Sequence, residues 1–168
     1  MGSEMCIRDR LIAASRAAGI PIVFSQYEFR PDYSDGGLLI ALYPALREVG
    51  GMVAGTWDAA FDSRLAVEAS DVVVSKARYS AFYGTELERV LRERGVGTLI
   101  ICGVTTEMCV ESTLRDGFFR DFRIVLAADA VASVDRARHE ATLRTVEYGF
   151  GAVLPTADII HALERLPR

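Results

Sequence analysis

The sequence predicts an α/β fold in which a parallel sheet is covered by helices on both faces. Short β-branched runs alternate with amphipathic stretches along all 168 residues. Those runs are apolar throughout rather than every second residue, as in strands buried on both sides. Glycines at 19, 95 and 149 close the helical stretches, the position where a left-handed residue ends a helix.

Taken in order, Leu11–Ala18 reads as a helix stopped by Gly19. Ile20-Pro21-Ile22-Val23-Phe24-Ser25-Gln26 reads as a strand with its proline tolerated at the start. A loop rich in Pro, Asp, Tyr and Gly runs from Glu28 to Gly37. Residues 38–69 are less regular, with short helices expected around Ala41–Val49 and Ala59–Leu65. Asp71–Ser75 is the second strand, Thr85–Arg94 a helix and Thr98–Cys102 the third strand. Val110, Leu114, Gly117 and Phe118 share one face of a helix starting near Thr106 or Glu107. Phe122–Ala127 and Ala152–Leu154 are further strands, and Arg136–Tyr148 and Ala157–Leu166 further helices.

Composition narrows the function classes. At 51 % hydrophobic and 25 % charged, the chain has the balance of a soluble globular domain able to bury ~70 % of its unfolded surface. A net charge of −4 supplies no basic footprint, which argues against a nucleic-acid partner. No apolar run approaches the ~20 residues of a membrane helix, and no signal peptide is evident, so the expected location is the cytoplasm. Three cysteines without metal-type spacing argue against a zinc site or a disulfide framework.

The chemistry concentrates where strands end, which in such sheets is where ligands bind. Those ends collect Gln26–Arg30, Ser75–Phe82, Gly103–Cys109 and Asp129. Cys109 falls in the first helical turn after a strand, where free N–H groups and the helix dipole favour a thiolate. A lysine, Lys76, stands at the end of a neighbouring strand. Cys102, within its strand, reads as core, and Asp129 as a structural hydrogen-bonding residue.

Two segments, Val74-Ser75-Lys76-Ala77-Arg78-Tyr79-Ser80-Ala81-Phe82-Tyr83-Gly84-Thr85 and Gly103-Val104-Thr105-Thr106-Glu107-Met108-Cys109-Val110-Glu111-Ser112-Thr113, resemble the isochorismatase-like cysteine hydrolases. The resemblance extends over about residues 10–160 and is nearest the ureidoacrylate and N-carbamoyl-amide amidohydrolase branch. It implies a Rossmann-like three-layer sheet, Cys109 as nucleophile and Lys76 as its lysine partner. It also implies a cis peptide at Val104–Thr105 and an oxyanion hole formed by the N–H groups of Thr105 and Cys109. The reaction implied is cleavage of the C–N bond of a small amide or ureido substrate through a thioester, with no cofactor, in a homodimer or homotetramer. Candidate substrate contacts are Tyr27, Trp57, Tyr79, Phe82 and Thr106; the four aromatics read equally well as packing. Some relatives bind a metal through an aspartate and two histidines. Here His139 and His161 fall on late helices away from those positions, so no metal is expected.

The resemblance fails at the start. A first, central strand ending in the third catalytic residue, an aspartate, is expected upstream of Leu11. Residues 1–9 instead look like a non-native leader to a domain spanning 10–168, truncated at its N-terminus. Loss of that strand leaves its two neighbours without a shared partner. Asp9 reads as a helix N-cap or as disordered rather than as a replacement, and Glu28 and Asp129 are weak substitutes as base. The sequence therefore predicts an amidohydrolase impaired in this chain. Its rivals are a non-catalytic binding or assembly subunit and, on Cys109 alone, a thiol redox sensor without a resolving partner.

Overall fold

The computed structural model describes residues 2–166. In chain order its elements are α1 (Gly2–Ala17), β1 (Val23–Tyr27), α2 (Gly37–Leu42), α3 (Pro44–Glu48), β2 (Val72–Lys76), α4 (Leu87–Glu93), β3 (Thr98–Val104), a π-helical turn (Thr106–Val110), α5 (Glu111–Phe118), β4 (Arg123–Ala132), α6 (Arg136–Gly149), β5 (Gly151–Leu154) and α7 (Thr156–Glu164).

Two departures from the expected elements have local causes. Helix α1 begins at Gly2, so the boundary expected at residue 10 lies inside a helix. Ile7 and Leu11, four residues apart on one face, both pack against α7. Asp9 is consequently a mid-helix residue paired with Arg8 at 2.8 Å, and not a cap. The helix expected at Ala59–Leu65 is absent. There the Asp62 carboxylate accepts the Arg64 N–H at 2.9 Å, a side-chain turn that competes with helical bonding.

All strands pair in parallel, yet they form two sheets. β1 pairs with β2 from Val23↔Val72 to Tyr27↔Lys76. β4 lies between β3 and β5, with a register break in β3 between Ile101 and Gly103. β1 and β3 each keep one edge unpaired, and the single expected sheet is divided between them, where the resemblance places its first strand.

The period of two in β3 and β4 separates the two faces. Leu99, Ile101, Ile124 and Leu126 join a core with Leu91 of α4, Leu114 of α5 and Val146 of α6. Ile100, Cys102, Val125 and Ala127 join a second core with Leu11 of α1 and with Ile159 and Leu163 of α7. This is the predicted three-layer arrangement. Val23, Val72 and Val74 of the two-stranded sheet pack into the first core, so that core holds the two sheets together. Asp129 serves the second face: its carboxylate accepts from the N–H and hydroxyl of Thr156, both at 2.7 Å, and caps α7.

Candidate active site

Lys76 closes β2, and Cys109 follows β3 in the π-helical turn. Within that wide turn the N–H groups of Met108 and Val110 both donate to the Thr105 carbonyl at 3.2 Å, and the preceding Val104–Thr105 peptide is cis. Such turns recur at functional sites because they re-aim one side chain without ending the helix. Lys76 Nζ donates to Cys109 Sγ at 3.3 Å. The two strand ends therefore meet on one side of the molecule, across the gap between the sheets.

The lysine is 4 % exposed. Its other two protons go to the carbonyls of Arg78 and Tyr79, each at 3.0 Å. An ammonium has three donors and no acceptor, so these three acceptors suit the charged form. Burial nonetheless pushes Lys76 below its ordinary lysine value, and the hydrogen-bonded Cys109 beside it opposes that shift. Among the described residues no carboxylate hydrogen-bonds to either Lys76 or Cys109. The N–H of Thr105, one of the two oxyanion donors implied by the resemblance, likewise has no partner there.

The loop after Lys76 is fastened to the helix after Cys109. Ser80 donates to Asp116 of α5, and the Ala81 N–H donates to Thr113 Oγ1 at 3.0 Å. Neither tie is visible in the sequence, because the partners lie 36 and 32 residues apart and each is an ordinary polar residue.

Of the five candidate substrate contacts, two lie at the Lys76–Cys109 pair. The Lys76 ammonium sits 4.7 Å from the Tyr27 ring centroid, and Tyr79 stacks on Tyr27 at 6.5 Å. The other three have different surroundings. Trp57 is 92 % exposed, on the irregular 50–60 segment. Phe82 is 4 % exposed and packs against Phe122 at 5.8 Å in the first core. Thr106 is fully buried, and its hydroxyl lies 2.9 Å from His139 Nδ1. His139, placed far from the motif by sequence separation, thus holds the start of the cysteine turn. It touches no metal cluster, and none of metal-binding composition occurs among the described residues.

Other groups have structural surroundings. Burial raises the Cys102 thiol to about 11, in keeping with a core cysteine; the side chain of Cys6 lies outside the described residues. Glu107 accepts from Ser133 at 2.9 Å, and its other carboxylate oxygen is buried without a partner among the described residues. A cavity of about 390 Å³ opens beside the pair at the ends of β1 and β2, lined among others by Glu28, Arg30, Asp35, Lys76, Arg78 and Tyr83. No described helix is long and apolar enough to cross a membrane.

Comparison with known proteins agrees with this fold. The isochorismatase domain family matches residues 8–158. A ureidoacrylate amidohydrolase, RutB, of Methylorubrum extorquens is 39 % identical over 92 % of this chain, which spans about two thirds (67 %) of that relative's length. The crystal structure of a cysteine hydrolase from Pseudomonas syringae pv. phaseolicola superimposes with a TM-score of 0.91 at 33 % identity, covering 97 % of this chain and 81 % of that one. N-carbamoylsarcosine amidase from Thermoplasma acidophilum superimposes with a TM-score of 0.74 at 26 % identity, covering 92 % and 83 %. The match over most of the chain, the shared fold and the strand-end Lys76–Cys109 pair together make this chain a hydrolase of the isochorismatase domain family, similar to its members that cleave carbon–nitrogen bonds.

Proposed function

We propose that this chain is a cysteine-nucleophile amidohydrolase acting on a small amide or ureido compound. The observation that carries the proposal is the 3.3 Å contact between the buried Lys76 ammonium and Cys109 Sγ. In the proposed reaction the sulfur attacks the substrate carbonyl, and Lys76 supports negative charge on sulfur. The N–H groups of Thr105 and Cys109 receive the oxyanion. Collapse breaks the C–N bond, the nitrogen leaves with a proton as ammonia or an amine, and a thioester remains. Water then adds to the thioester and returns the thiol. Each step needs a proton moved, and no described carboxylate reaches the pair, so turnover by this chain is slow. The same observation supports a second reading, a non-catalytic binding subunit.

The likeness to a ureidoacrylate amidohydrolase and an N-carbamoylsarcosine amidase selects the substrates to try. The charge balance and family likeness support a cytoplasmic homodimer or homotetramer with no nucleic-acid or membrane partner. The experiment is incubation with ureidoacrylate, N-carbamoylsarcosine and simple amides, reading ammonia release and intact-protein mass. An acyl adduct on Cys109, with slow ammonia release that Cys109→Ala abolishes, is the expected result. A folded protein showing neither adduct nor release with any of them refutes the hydrolase reading in favour of the binding subunit.

A further inference from the structure

We infer that Tyr27 is a positioning residue for Lys76: its ring face flanks the hydrogen-bonded ammonium and holds Nζ against the cysteine sulfur. The inference rests on the reading of Lys76 and Cys109 as a working pair. Three sides of the ammonium are taken by the carbonyls of Arg78 and Tyr79 and by Cys109 Sγ. Beside these acceptors lies the Tyr27 ring, 4.7 Å from Nζ to centroid, inside the ~6 Å range over which an aromatic face attracts a cation.

The backbone makes this contact obligatory. Tyr27 and Lys76 are register partners in adjacent parallel strands, so their side chains leave the sheet on the same face. The ring is fixed from two further directions. Tyr79 stacks on it with planes 19° apart, and Phe29, itself 1 % exposed, meets it edge-on at 5.3 Å.

The hydroxyl plays no part in holding the ring, because it is buried without a hydrogen-bond partner among the described residues. Burial also pushes the phenol well above its ordinary value. The ring therefore stays neutral and acts through its π face, not as an anion. A desolvated ammonium lacking that face would lose an attraction that offsets part of the cost of its burial. It would then lose its proton more readily or withdraw from the sulfur.

The test reads the sulfur directly and needs no substrate. Cys109 is alkylated with iodoacetamide at pH 7 in the full chain, and the rate is followed on the Cys109 peptide by mass spectrometry, so that Cys6 and Cys102 do not contribute. Lys76→Met is expected to slow alkylation at least about tenfold, and Tyr27→Leu about tenfold. Tyr27→Phe, which keeps the face, is expected to restore the rate to within about twofold. Phenylalanines of increasing ring fluorination at position 27 keep the shape while draining the face, and the rate is expected to fall stepwise along that series. They also cover the case in which the leucine variant does not fold. A flat fluorination series, or a Tyr27→Phe rate as low as that of Tyr27→Leu, overturns the inference. If Lys76→Met leaves the rate unchanged, the Lys76–Cys109 pairing itself is wrong, a different failure from that of Tyr27.

Discussion

Replacing Thr106 by valine tests whether His139 anchors the turn that carries Cys109. Valine matches threonine in shape, so no cavity forms and the methyl packing is kept. What is lost is one hydrogen bond, 2.9 Å from Oγ1 to His139 Nδ1, made by a side chain with no solvent exposure. A net intramolecular hydrogen bond is worth ~1 kcal/mol, and an abandoned buried partner costs ~1–3 kcal/mol. His139 is only half-buried, so water can recover part of that loss, and the expected cost is ~1.5 kcal/mol. For a chain of this length that lowers the melting temperature by roughly 3–6 °C. The assay is urea unfolding of Thr106→Val, His139→Leu and the double variant. A coupling energy of ~1 kcal/mol is expected, above the ~0.3–0.5 kcal/mol scatter of independent sites. Strict additivity would show that the two side chains are merely close.

Two further outcomes follow from the geometry. Burial lowers Lys76 in the folded chain relative to its ordinary value of 10.5, so between the two values the unfolded chain binds the extra proton. Folding stability should therefore rise with pH over a window ending near the ordinary lysine value, and fall back as pH drops below it; Lys76→Met should lack that rise in urea titrations across the alkaline range. At Gly151, which pairs with Ile124 across β4 and β5, an added Cβ would run into the Ile124 carbonyl oxygen. Backbone cannot yield as a side chain does, so Gly151→Ala should destabilise by ~2 kcal/mol or more, and an unchanged urea midpoint would contradict the tight strand contact.

Much of the fold is legible in local patterns, because strands buried on both faces and glycine-closed helices leave signals within a few residues. Thr98–Cys102 and Arg136–Tyr148 read correctly for that reason, the strand running two residues further to Val104 and the helix one further to Gly149. Residues 2–9 did not read as helix, because their fit depends on Ile7 meeting α7, more than 140 residues away. Residues 59–65 misread because Asp62 spends its carboxylate on the backbone.

The site divides the same way. Lys76 and Cys109 are found by asking which reactive groups end strands. Tyr27, Tyr79, Phe82 and Trp57 are indistinguishable by residue type, and only burial shows that two attend the lysine, one fills the core and one faces water. His139 gives no local signal at all, since its partner Thr106 is 33 residues away.

The divided sheet makes the reactive pair a gauge of shear. Lys76 rides on one slab and Cys109 on the other, with no backbone ladder between β1 and β3 to lock their relative height. Sliding of a single ångström separates a 3.3 Å donor–sulfur contact from one too long to count as a bond. Among the described residues, the apolar packing beneath and ties such as those from Ser80 to Asp116, from Ala81 to Thr113 and from Arg16 to Asp71 resist that motion. Under the proposed mechanism, reactivity at Cys109 would depend on the stiffness of the seam as well as on the groups that meet across it.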